Sequence, residues 1–235
     1  SDVCSSDLIV TRAYSPHLAA ALGQPVIPEN RPASGGIIAV ELVARSPGDG
    51  YTLLTYGTAA MTYNKLIYAD IKYDAERDFS PITQLTEAPL ALYVSTGVPA
   101  RTLGEFVALA RDPASRLNYG APGYGHPFHL AMELFKERTG ANLQFVPYKG
   151  GTPVVQDLVS GTLQAMFYTA GNQMPALIRA GKIRVLASAG EKRLAEYPDV
   201  PTAEEAGVQN SVAAGTFALY RSEEHTSELQ SRLHL

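Results

Sequence analysis

Residues 117–138 read LNYGAPGYGHPFHLAMELFKER, and they carry the clearest signal of the fold class. Residues 117–120 have the composition of a short strand. Pro122, Gly123 and Gly125 break the chain, and Pro127 suits the first turn of a helix that reaches Arg138. A strand that feeds a helix through a short Gly-rich loop is the building unit of a parallel sheet. The same alternation continues downstream, with strand and helix exchanging places over 143–146, 152–159, 164–168, 175–180 and 183–188. Upstream, residues 90–95 form a strand, and Thr102 with Glu105 makes a capping box in front of a helix over 103–111.

The pattern extends to both ends. Val10, Tyr14, Leu18 and Leu22 share one face of a helix over 9–22. Gly23 ends that helix, and Pro25, Val26 and Ile27 form a short extended run. A loop over 29–36 opens a helix over 37–45. The turn Pro47-Gly48-Asp49-Gly50 then leads into a strand over 51–55. Thr202 and Glu205 form a second capping box, and 212–220 is a last strand-like run. Units of this length imply an α/β protein with mostly parallel sheets and helices on both faces. Glu87-Ala88-Pro89 and Thr96-Gly97-Val98-Pro99 bracket one strand, where a passage between two lobes is expected.

Composition bounds the function. The chain of 235 residues holds 20 glycines and 16 prolines, which suits many short elements and argues against a coiled coil. With 19 basic and 23 acidic residues, a net charge of -4 and no block of like charge, it carries no nucleic-acid footprint. No run approaches the ~20 apolar residues of a membrane span. The termini read SDVCSSDL and RSEEHTSELQSRLHL, and both look like translations of a sequencing-library adapter. Residues 1–8 and 221–235 are therefore expected to be adapter-like artefacts. Setting them aside leaves 212 residues with 17 bases, 18 acids and no cysteine, because Cys4 goes with them.

Several strand-to-helix loops offer a site. The richest contains Gly123, Tyr124, Gly125, His126 and His129: glycines admit a close ligand, and a helix start supplies N–H donors and a dipole that favours an anion. A tight turn without a ligand explains the same residues. His126, His129 and Glu133 have a spacing that would suit one metal, although Pro127 biases His126 out of the helix and Glu133 also reads as a solvated face. A second loop holds Tyr148, Lys149, Gly150 and Gly151, with Lys149 either facing an anion or simply solvated. A third begins at Tyr56 and includes Thr58, Ala59 and Ala60, and Tyr168 ends a further strand. No Gly-x-Ser-x-Gly, no His-Glu-x-x-His and no cysteine nucleophile is present, which lowers the prior for an enzyme.

The strings ALGQPVIPENRPASGG, PGDGYTLL, LNYGAPGYGHPFHLAMELF, VPYKGG, AGKIRVLA and YPDVPTAEEAGV together resemble the substrate-binding proteins of tripartite tricarboxylate transporters, the Bug-type receptors. The resemblance implies a periplasmic-binding-protein type II-like fold of two lobes. Residues 9–97 plus 212–220 would form a truncated first lobe, and 98–211 the second. It further implies capture of an organic carboxylate in an interlobe cleft for membrane transporter subunits, in the periplasm, by a monomeric protein that is not an enzyme and needs no metal or cofactor. Carried over by position, the ligand contacts fall on Tyr56, Thr58, Ala59 and Ala60, on Gly123, Tyr124, Gly125, His126 and His129, on Tyr148, Lys149, Gly150 and Gly151, and on Tyr168. Ala121 and His126 stand where small hydroxyls are usual and Tyr168 where an aspartate is common. With Tyr56, Met61, Tyr124 and Phe128, this points to an aromatic or otherwise bulky carboxylate. A sensor for a membrane kinase and a metal-dependent hydrolase using His126, His129 and Glu133 are the alternatives.

Overall fold

The computed structural model describes residues 5–31, 37–171, 173–211 and 213–223, the side chains of 5–7, 9 and 58–60 excepted. The described chain divides into two compact units. A central unit covers Glu87–Gly215, and an N-terminal unit covers residues 5–86 together with 216–223. The divisions fall at 86/87 and 215/216, whereas the sequence placed them at 97/98 and 211/212.

In the central unit, β2 (Phe79–Ser95) enters at Glu87 and lies between β5 (Ala165–Thr169) and β6 (Ile183–Ser188), antiparallel to both. Beyond β5 come β3 (Leu117–Ala121) and β4 (Leu143–Pro147), with β3 parallel to both β5 and β4. The order β6-β2-β5-β3-β4 thus contains four strands running one way and one reversed strand between them. Successive side chains of β2 go to opposite faces. Leu90, Leu92 and Val94 enter one core with Phe106 of α4 (Leu103–Arg111) and Met132 and Phe135 of α5 (Pro127–Thr139). Ala91 and Tyr93 enter the other, with Val154 and Leu158 of α6 (Gly151–Ser160) and Met174 of α7 (Met174–Arg179). Both sheet faces are covered, and each fully buried Leu or Phe contributes about 1.5–3 kcal/mol.

The helix ends follow the sequence closely. Thr102 accepts from the Glu105 N–H at 3.2 Å, while the Glu105 carboxylate accepts from the Arg101 N–H at 2.7 Å. Gly140 closes α5 and Gly161 closes α6, both left-handed. The second capping box is complete too, with Thr202 and Glu205 exchanging bonds of 2.8 and 3.0 Å. It closes a single turn there, with no helix following.

The N-terminal unit has α1 (Ser5–Leu22), α2 (Ile37–Ala44), β1 (Leu53–Gly57), α3 (Thr58–Ile67), the first part of β2, and β7 (Ala214–Ser222). β7 lies between β1 and β2 and runs antiparallel to β1, pairing Leu53 with Arg221. Its core gathers Val40, Val43, Leu54, Tyr56, Tyr73, Phe79 and Tyr220. Asn64, buried among them, donates to the hydroxyls of Tyr56 at 3.3 Å and Tyr73 at 3.2 Å. Two expected bounds shift: α1 begins at Ser5 and not at residue 9, and β7 runs two residues past Tyr220 to a buried Ser222. Residues 1–4 and 224–235, including Cys4, lie outside the described residues, as do 32–36 of the loop before α2.

Candidate functional site

Because β3, β4 and β5 are parallel, their ends at Ala121, Pro147 and Thr169 lie on one edge of the central sheet. α5 follows β3 and α6 follows β4, so both helices begin at that edge. The Ala121 carbonyl accepts from Gly123 N–H at 2.8 Å and from Tyr148 N–H at 3.0 Å, which ties the two loops together. Gly123 (φ 98°) and Gly125 (φ 72°) are left-handed and let the loop turn into α5.

His126 is the N-cap of α5, and its Nδ1 accepts from Phe128 N–H at 3.3 Å. His129 Nδ1 accepts from Gly125 N–H at 3.4 Å. With Nδ1 an acceptor in each ring, the proton of each neutral imidazole sits on Nε2. Burial, reinforced by His129, pushes His126 down to about 4. Burial and the nearby Lys136 also lower His129, against the opposing pull of Glu133. Both rings are therefore neutral donors at neutral pH.

At α6 the N-cap is Gly150, buried, with φ 143° and no side-chain cap on the first turn. The Tyr148 hydroxyl donates to Asp157 at 2.5 Å and is pushed up to about 12, by burial first and by Asp157 second. Its phenol is thus fixed on α6. Lys149 is exposed, and no ion pair of it occurs among the described residues. Tyr168, near the end of β5, is half-buried, and its ring centroid is 4.8 Å from that of Phe128. Phe128 in turn lies 4.5 Å from His126. A Cβ on Gly151 would stand 2.6 Å from the Tyr168 hydroxyl, so this phenol touches the first turn of α6.

Behind the loop, Tyr119, His129, Tyr124 and Phe145 form an aromatic cluster with centroid separations of 4.3–6.2 Å. Tyr124 is the outermost, 69% exposed. The central-unit residues expected at a site thus share one edge: Gly123, Tyr124, Gly125, His126, His129, Tyr148, Lys149, Gly150, Gly151 and Tyr168. Sequence spacing gave no sign of Phe145, which reaches the cluster through the pairing of β3 with β4, or of the bond from Tyr119 to Glu133, which forms only when α5 docks on the sheet.

The remaining candidates belong to the N-terminal unit. The Tyr56 side chain is 5% exposed and packed in the core, so its ring serves that unit's interior. Thr58, Ala59 and Ala60 open α3 directly after β1, and their side chains lie outside the description. An open groove of about 610 Å³ also lies in this unit, bordered by Leu18 and Leu22 of α1, Ile27, Leu42 of α2 and Tyr51. Its lining also includes the polar Thr11, Glu29, Arg31 and Asp49, and of the site candidates it holds Tyr56 but none of the His or Lys residues.

The metal reading of His126, His129 and Glu133 finds no support. Among the described residues no three His, Cys, Asp or Glu side chains are grouped to hold a metal ion. Glu133 instead accepts from the Tyr119 hydroxyl at 2.5 Å and from Lys136 Nζ at 2.7 Å. Burial alone would raise its carboxyl, but these hydrogen bonds outweigh it and hold the group below its usual value. Glu133 is therefore a tie between helix and sheet, and no plain solvated face. No helix among the described residues is long and apolar enough to cross a membrane.

Comparison with known proteins adds to this geometry. Residues 10–234 match the tripartite tricarboxylate transporter family receptor, a match that runs past Tyr220 through most of the adapter-like segment. BugT of Bordetella pertussis is 33% identical over 215 residues, covering 90% of this chain and 65% of BugT. The chain spans 58% to 67% of the length of the first curated relatives it matches. Among solved structures, R. palustris Rpa4515 with adipate has a TM-score of 0.82 at 32% identity, covering 96% of this chain and 75% of that one. MatC from Rhodopseudomonas palustris with bound malate has 0.79 at 28% identity, covering 92% and 73%.

Proposed function

The chain belongs to the tripartite tricarboxylate transporter receptor family, and from that premise we propose that it captures a small organic carboxylate in the periplasm and presents it to the membrane subunits of a tripartite transporter. The family is one of solute receptors and not of enzymes. The observation that carries the ligand class is the edge formed by α5 and α6. There the first turn of α6 has no side-chain cap and follows Gly150, while the two nearby histidines are neutral N–H donors. Uncapped N–H groups at a helix start, with the positive end of the helix dipole, favour a carboxylate without needing an arginine. The adipate in Rpa4515 and the malate in MatC support the same class.

In this reading the Gly123–His126 loop and the Tyr148–Gly151 loop supply the backbone contacts, and exposed Lys149 adds long-range attraction for an anion.

The test is thermal unfolding in the presence of adipate, malate, citrate and benzoate. A ligand bound only by the folded chain at a hundredfold excess over Kd stabilises it by about 2.7 kcal/mol. At this size that is a rise in Tm of roughly 5–10 °C. At least one carboxylate should produce such a rise, without being consumed. No rise with any of them would overturn the reading.

A further inference from the structure

The geometry points to a site selective for a ring-bearing monocarboxylate of the benzoate class over aliphatic dicarboxylates, with Tyr168 and Phe128 as the specificity-determining residues. The inference rests on the carboxylate reading above and narrows it. Three features of the central unit carry it.

The first is a continuous aromatic row. His126 lies 4.5 Å from Phe128 with planes 66° apart, and Phe128 lies 4.8 Å from Tyr168 with planes 50° apart. Beyond Tyr168 comes Gly151, whose absent Cβ leaves room for the phenol. The row therefore runs from the start of α5 to the start of α6. Whatever sits on this edge has aromatic surface along one side, and tilted or edge-on ring contacts of 4.5–7 Å are the geometry another ring prefers.

The second is the Tyr168 hydroxyl. The other phenols rooted on β3 and the β4–α6 loop are committed, Tyr119 to Glu133 and Tyr148 to Asp157. No hydrogen bond of the Tyr168 hydroxyl occurs among the described residues, and the ring is only half-buried. A phenol held against the first turn of α6 without a hydrogen-bond partner among the described residues is a donor for an acceptor from solution, and a carboxylate oxygen accepts it well.

The third is what the row does not offer. His126 is neutral, and Phe128 has no polar side-chain atom. One carboxylate can be served at the α6 end. A second, at the far end of an adipate-like chain, would lie against aromatic rings and lose water for at most the single uncharged Nε2–H of His126. A ring in that place loses nothing.

Isothermal titration of the 235-residue chain with benzoate, adipate and malate tests the inference. Benzoate should bind at least tenfold tighter than adipate or malate. Tyr168→Phe, which keeps the ring, should weaken benzoate about tenfold, the loss of one hydrogen bond to a charged acceptor. Phe128→Leu should lower the ratio of benzoate to adipate affinity, which a merely structural role would leave unchanged. Adipate or malate binding as tightly as benzoate would overturn the selectivity and leave the carboxylate reading standing. No binding of any carboxylate would overturn both. The wild-type ranking alone decides the point if Phe128→Leu fails to fold.

Discussion

The hydroxyl of Tyr119 donates to the carboxylate of Glu133 at 2.5 Å, and this bond fastens α5 to the strand that precedes it. Tyr119 is fully buried at the centre of β3, while Glu133 lies in the second turn of α5 and also accepts from Lys136. The helix that supplies the His126 end of the site is thus held by a polar tie as well as by its apolar face.

Tyr119→Phe should therefore destabilise the chain. A hydrogen bond to a charged group is worth about 1.5–3 kcal/mol, but the Glu133 side chain is 42% exposed and keeps Lys136. We expect a loss of about 1–2 kcal/mol in urea unfolding. A value within error of zero would mean that the bond is replaced by water without cost.

The strand-helix alternation was legible because each central-unit element is bounded by its own chemistry. Thr102 caps α4, Pro127 opens α5, and Gly140 and Gly161 close α5 and α6. The first part of β2 was not legible. Its residues Ser80–Pro89 include Pro81 and Pro89 and are exposed or only partly buried, so no apolar alternation marks them, and only pairing with neighbouring strands makes them extended. The Thr202 box shows the reverse case, where a helix signal without a following apolar face yields one turn. In the site, the loops were visible as Gly-rich strand ends. Which phenols remain available was not, because Asp157 and Glu133 reach Tyr148 and Tyr119 only once the helices dock.

The neutral His126 gives a pH signature. Its folded value of about 4 lies below the ordinary 6.5, because burial disfavours the cation. Between these limits the unfolded chain binds a proton that the folded chain refuses. The contribution is therefore full above pH 6.5, is lost as pH falls towards 4, and then levels off. His126→Asn, whose amide oxygen can take over the N-cap role of His126 Nδ1, should flatten this decline. His129, lowered in the same direction, preserves part of it. Tm measured from pH 4 to 8 for both proteins checks this; parallel curves would contradict it.

Gly151 and Tyr168 should be coupled. A methyl at Gly151 would stand 2.6 Å from the Tyr168 hydroxyl oxygen but 3.2 Å from the nearest ring carbon. Gly151→Ala should thus cost about 1–3 kcal/mol by overpacking, and much of that cost should vanish in the Tyr168→Phe background. A double-mutant cycle by chemical denaturation measures the difference. Additive effects would mean that the phenol moves aside freely.

The central claim is that this chain recognises the charge of a carboxylate through uncharged N–H and hydroxyl donors. Calorimetric titration with benzoate against benzamide, and with adipate against adipamide, tests it most directly. Each amide keeps the body of its acid and loses the negative charge. We expect saturable binding of at least one acid, at one site per chain, and at least tenfold weaker binding of its amide. Equal affinity for acid and amide, or heat from neither, would contradict the account.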